Sequence, residues 1–235
     1  HAQSTVTVGT GTLNTSGYYA PFYTTKYAFV EVKYNGTNIL TAGAEAGYIG
    51  AIAFDRYAST TTPALEVGDF TIWMGVSSTA TFGSTTDWVP AEQMTMVAHY
   101  DNYVTSAGTG WMQIPLQVPF YYTPSDTTHL VIAFGHKSPS ALTSSMQKFV
   151  YSSSSNSIIY RYNATYDSVA SYPQGNTTGT RTSYLPNIQL VMNSTPTFCF
   201  APTGLSLVDR TSSTLSFKWD GGASSYQYAY AASGE

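Results

Sequence analysis

Charge is what this sequence most lacks. Lys, Arg, Asp and Glu make up 9% of its 235 residues, against about 25% in an average soluble domain. Nine basic and thirteen acidic side chains leave a net charge of −4. No basic footprint therefore exists for nucleic acid or for an anionic membrane surface. No apolar run approaches the ~18 residues of a membrane-spanning helix, which predicts no membrane insertion. A single cysteine, Cys199, excludes an intramolecular disulfide and any cysteine-rich metal site. Also missing are a Gly-x-Ser-x-Gly elbow, a His-Glu-x-x-His pair and a glycine loop able to cradle phosphate. These absences predict a chain that is not an enzyme and needs no cofactor.

Aromatic residues, by contrast, reach 15%, with twenty tyrosines, which separates the chain from aromatic-poor disordered sequences. The polar residues are chiefly Ser, Thr and Tyr, so the surface is neutral and hydroxyl-rich, as suits a secreted or bacterial cell-surface protein. His1-Ala2-Gln3-Ser4 reads like the end of a signal peptide, with Gln3 as a mature first residue, or His1 as the last residue of a tag. Residues 1–8 are accordingly expected to be a signal remnant or flexible N-terminus. Five Asn-x-Ser/Thr triplets, at Asn14, Asn35, Asn163, Asn176 and Asn193, point to exposed loops.

Strand-period alternation recurs along the chain. Ala28, Val30, Val32 and Tyr34 fall on one face of their run, with Phe29, Glu31 and Lys33 opposite. The same pattern unites Phe70, Ile72, Met74 and Val76, then Met112, Ile114 and Leu116, then Leu130, Ile132 and Phe134. It continues through Ile158, Tyr160 and Tyr162 and ends with Ile188, Leu190 and Met192. Alternation of this length marks half-buried strands. Turn-forming clusters such as Asn35-Gly36 and Gly108–Gly110 separate them, and residues 43–48 read as a bend. The expected fold is all-β: an antiparallel two-sheet sandwich, jelly-roll-like, over 9–195, with one wet face on each sheet.

A second pattern begins beyond a linker at 196–202. Pro202-Thr203-Gly204-Leu205, the alternating Leu215, Phe217 and Trp219, and the alternating Tyr226, Tyr228 and Tyr230 resemble the opening strands of a fibronectin type III domain. Residues 203–235 would then hold only the N-terminal strands of that sandwich, too few to close two sheets. The chain is expected to be part of a larger protein.

The larger unit carries Phe70-Thr-Ile-Trp-Met-Gly75, Thr85-Thr-Asp-Trp-Val-Pro90 and Gly110-Trp-Met-Gln-Ile-Pro-Leu116. Pro119-Phe-Tyr-Tyr122, Leu130-Val-Ile-Ala-Phe134 and Ser183-Tyr-Leu-Pro-Asn-Ile188 follow. In order and spacing these resemble a β-sandwich module of large secreted Bacteroidota surface proteins, which often precedes fibronectin type III repeats. Many such proteins leave by the type IX secretion route. The resemblance implies extracellular adhesion, carbohydrate binding or spacing, with no assigned chemistry. Relatives often have a second cysteine near the joint, whereas here Cys199 stands alone.

Few residues suggest chemistry. A copper brace would need a free N-terminal His1 with His99, His129 or His136 as partner. Asp55, Glu66, Asp69, Asp87, Glu92 and Asp101 could supply paired carboxylates, but nothing in their spacing fixes a pair at the roughly 5–9.5 Å that glycosidases use. Calcium is the ion best matched to Asp87, Asp101 and Asn102, read as loop residues offering oxygen ligands.

Aromatics are the stronger candidates. By strand parity Trp73 and Trp111 point away from their apolar neighbours, and large aromatics on an outer face need cover. Either they stack on sugar rings, with Trp88 and Tyr121 alongside, or a loop such as Thr79–Pro90 folds over them with Trp88 as its anchor. The function expected is non-catalytic adhesion or binding to a glycan or cell-surface protein. A self-assembling spacer and an ancillary domain of a secreted hydrolase are the alternatives.

Overall fold

The computed structural model describes residues 3–13, 20–57, 63–142, 148–198, 203–211 and 214–220. The chain forms two compact units, His1–Pro196 and Thr197–Glu235. In the first, the strands are β1 (Ser4–Val8), β2 (Tyr27–Tyr34), β3 (Gly47–Arg56), β4 (Glu66–Ser77) and β5 (Met94–Val104). Then follow β6 (Gly110–Tyr122), β7 (His129–Lys137), β8 (Tyr151–Asn163), β9 (Thr180–Pro186) and β10 (Ile188–Asn193).

Four of these strands form one sheet in the order β1-β10-β3-β6, and six form a second, β5-β4-β7-β2-β8-β9. Every pairing is antiparallel, and the pairs are nested: β4 with β5, β3 with β6, β2 with β7, β1 with β10. Nested pairs shared between two facing sheets make a jelly roll, as alternation had led us to expect. The β8–β9 hairpin is an addition that widens the second sheet beside β2. β6 contains Pro115 and Pro119, which it tolerates because it is an edge strand.

Between the sheets lies the main core. Val30, Val32, Tyr34, Phe70, Ile72, Met74, Ile132 and Phe134 of one sheet meet Ile52, Phe54, Met112, Ile114, Ile188 and Leu190 of the other. Each fully buried side chain of this size contributes roughly 1.5–3 kcal/mol relative to exposure.

Three local expectations change. Ser4–Val8, expected to be flexible, pairs along its whole length with β10 and sends Val6 and Val8 into the core. Asn35-Gly36, expected as a turn, opens a short helix, α1 (Gly36–Thr41), whose first amides are capped when the Asn35 side chain accepts from Thr37 N–H. The bend expected at 43–48 is confined to its first residues, because β3 already begins at Gly47.

The largest change concerns the wet faces. β2 and β7 are buried on both sides, so the six-stranded sheet has a second apolar layer on its outer face. Phe29, Val131, Ala133 and Ile159 of the sheet pack there against Phe82, Trp88 and Val89 of the β4–β5 connection and Met94 of β5. Parity placed Phe29, Glu31 and Lys33 opposite the core correctly, but that side is dry.

In the second unit β11 (Thr203–Arg210) and β12 (Leu215–Asp220) pair antiparallel. Cys199, the Trp219 side chain and the expected strand around Tyr226, Tyr228 and Tyr230 lie outside the described residues.

Candidate functional site

The two outer faces treat the sequence-derived candidates differently. On the six-stranded sheet, Trp73 and Trp88 flank Phe29 at 5.6 and 5.7 Å between ring centroids, with Tyr172 at 4.9 Å. Trp88 is buried, and its Nε1–H donates to the Thr177 carbonyl at 2.8 Å. The satisfied indole of Trp88 is structural. The loop around Thr79–Pro90 folds over this face with Trp88 as its anchor, which leaves Trp88 buried and Trp73 partly buried against Phe29 and Tyr172.

Polar latches hold the cover down. Glu31, fully buried, accepts from Val89 N–H at 3.0 Å and from Tyr172 Oη at 2.7 Å. Burial outweighs these two bonds and pushes the Glu31 carboxyl up to about 7. Lys33, also buried, donates to Thr79 Oγ1 and the Thr81 carbonyl and lies over the Phe82 ring, and burial lowers its pKa. Arg181 of β9 donates to the Phe82 carbonyl at 2.7 Å.

Trp111 and Tyr121 sit instead on the outer face of the four-stranded sheet, 37% and 55% exposed. Residues paired across antiparallel strands share a face, so registers define this surface. Its first row is Asp55 beside Trp111, and its second is Thr7, Gln189, Ala53 and Gln113. The third is Thr5, Val191, Ala51 and Pro115, and past an irregularity in β3 come Tyr48 and Tyr121. The neighbours in sequence, such as Ile52, Phe54, Met112 and Ile114, face the core.

Trp111 is positioned from beneath. Gly110, at φ +75°, turns the chain into β6 in a conformation that favours glycine. Arg56 fastens the preceding turn by donating to the carbonyls of Ser106, Thr109 and Gly110 at 2.7–3.1 Å. Tyr121 rests edge-on against Tyr48 at 5.0 Å. Gln189 Nε2 donates to Thr7 Oγ1 at 3.2 Å, and partial burial raises the pKa of Asp55.

The residues suited to calcium do not converge. Asp87 accepts from Gly83 N–H at 2.6 Å and so closes its own loop. Asp101 and Asn102 lie on β5 rather than on a loop. Both line an open depression of about 400 Å³ with Asp69 and Lys137. There His99 Nε2 lies 3.1 Å from Asp101, its Nδ1 3.7 Å from Asp69, and Lys137 3.9 Å from Asp69. Among the described residues no group of three or more His, Cys, Asp or Glu could hold a metal ion. His1 lies outside them. His129 accepts from Gly36 N–H, while His136 accepts from Tyr23 N–H and bonds Ser138, its pKa lowered to about 3 by burial. Both are core histidines. Among the described residues no helix is long and apolar enough to cross a membrane.

Sequence reasoning missed Tyr48, Gln113, Gln189 and Thr7. Gln113 could have been found from the parity that placed Trp111, but the others need the β3 and β10 registers. No protein-family model matches the chain, and no curated protein or solved structure is significantly similar to it.

Proposed function

We propose that the chain is a non-catalytic module of a secreted or cell-surface multidomain protein, and that it binds carbohydrate on the outer face of its four-stranded sheet. One observation carries this reading: Trp111 and Tyr121 are exposed on a single face whose intervening side chains are amides, hydroxyls and small apolar groups. Aromatic faces pack against the C–H faces of sugar rings, and Gln and Thr supply hydrogen bonds to hydroxyls without charge. The likeness of the motifs to surface modules of Bacteroidota, and of residues 202–230 to a fibronectin type III opening, supports the extracellular and multidomain parts of the reading.

A glycan array probed with the wild type, Trp111→Ala and Trp73→Ala tests it. Retention of neutral glycans by the wild type and by Trp73→Ala, with about tenfold weaker retention by Trp111→Ala, is the expected result. A wild type silent across the array would refute it.

A further inference from the structure

The open face is elongated, and its chemistry changes along its length. From Asp55 to Tyr48 there are seven residue steps of β3, or roughly 20 Å at the usual rise of a strand. An aromatic side chain marks each end, Trp111 at one and the Tyr48–Tyr121 pair at the other. Between them Ala51 and Ala53 are buried, while Gln113 and Pro115 on β6 and Thr5 and Thr7 on β1 are exposed. Ala51, Ala53 and, on the neighbouring β10, Val191 thus make a buried floor of small apolar groups, and the exposed side chains that a ligand would meet there belong to β6 and β1.

A protein interface usually concentrates apolar area at its centre and polar groups at its rim. Here the exposed large aromatics lie at the ends, and the rows between them hold the amides of Gln113 and Gln189 and the hydroxyls of Thr5 and Thr7 beside only small or buried apolar groups, so no large apolar centre is presented. Among the described residues the paired rows of this face hold no Lys or Arg, and Asp55 beside Trp111 is their acid. Anionic chains therefore find no cation and one repelling carboxylate.

Resting on the carbohydrate reading, we propose that the occupant is a neutral polysaccharide chain lying along β3 and spanning several sugar units. One unit stacks on Trp111 and another on Tyr121 with Tyr48 behind it, while Gln113, Gln189 and Thr7 hydrogen-bond the hydroxyls between. A single ring would reach one aromatic end; a chain reaches both, and the second contact then forms intramolecularly.

Isothermal titration calorimetry of the whole chain with cello-, xylo- and manno-oligosaccharides, each as disaccharide and hexasaccharide, tests the proposal. The hexasaccharide of the preferred series should bind at least about tenfold more tightly than its disaccharide. Tyr121→Ala should remove most of that difference, bringing the hexasaccharide affinity down towards that of the disaccharide, with an unchanged melting temperature because Tyr121 is largely exposed. Equal affinity for short and long ligands, or a hexasaccharide affinity indifferent to Tyr121→Ala, would overturn the extended site while leaving the carbohydrate reading intact. No heat with any oligosaccharide, together with a silent array, would remove both.

Discussion

The outer faces of the two sheets begin from similar residues and end in opposite states. Each carries tryptophan among polar neighbours on alternating strands. On the six-stranded sheet Trp73 joins Phe29, Glu31 and Lys33 beneath the β4–β5 and β8–β9 connections. On the four-stranded sheet Trp111 keeps more than a third of its surface exposed beside Gln113 and Asp55. What separates them is the length and landing place of the loops. The connection from β4 to β5 spans 78–93 and that from β8 to β9 spans 164–179, and both return over the same sheet. A strand face with an exposed tryptophan is thus informative only once every long loop has been accounted for.

Substitutions can break this contrast from either side. The largest effect is expected at Trp88, where Ala would empty a buried indole site and leave the Thr177 carbonyl without its donor. Urea denaturation should show a loss of about 3–5 kcal/mol. Next comes Glu31, whose carboxyl is pushed up to about 7 from an ordinary 4.5. The native state holds this proton between those values while the unfolded chain has released it. The contribution is therefore fully present below pH 4.5 and lost as pH rises through 7, a swing on the order of 3 kcal/mol. Comparing wild type with Glu31→Gln between pH 4.5 and 8 should isolate it, since the variant lacks the titrating group. A flat difference would mean the cover opens to water around Glu31.

Gly135 should come third. A methyl group there would meet the backbone carbonyl of Ala170 and crowd the Trp73 ring. Gly135→Ala is expected to cost about 1–3 kcal/mol by lifting the cover. On the open face, Trp111→Ala should change stability by less than about 1 kcal/mol while weakening glycan binding about tenfold. If Trp111→Ala destabilised as much as Trp88→Ala, the two faces would not differ as proposed.

Much of the architecture was legible because it is local. Alternation at residues 28–34, 70–76, 112–116, 130–134, 158–162 and 188–192 located six strands and the side of each that meets the main core. Alternation did not trace β3, because Gly50 and the small Ala51 and Ala53 blur it, and with it went the middle rows of the open face. β5 escaped because its register with β4 shifts, breaking the two-residue period. Trp111 was identified correctly as outward-facing from its own strand alone. Tyr48, its counterpart across the face, could be recognised only through pairing with Tyr121.

By itself, then, the sequence determined the strand content, the inward side of each clear strand and the near-absence of charge, since period and composition are properties of neighbours along the chain. It did not determine which outward side would stay in contact with water. That depended on where the 78–93 and 164–179 connections landed and on latches between residues up to 141 positions apart, such as Tyr172 with Glu31. Parity assigns a side chain to a face, but only the packing of distant segments decides whether that face is interior or surface.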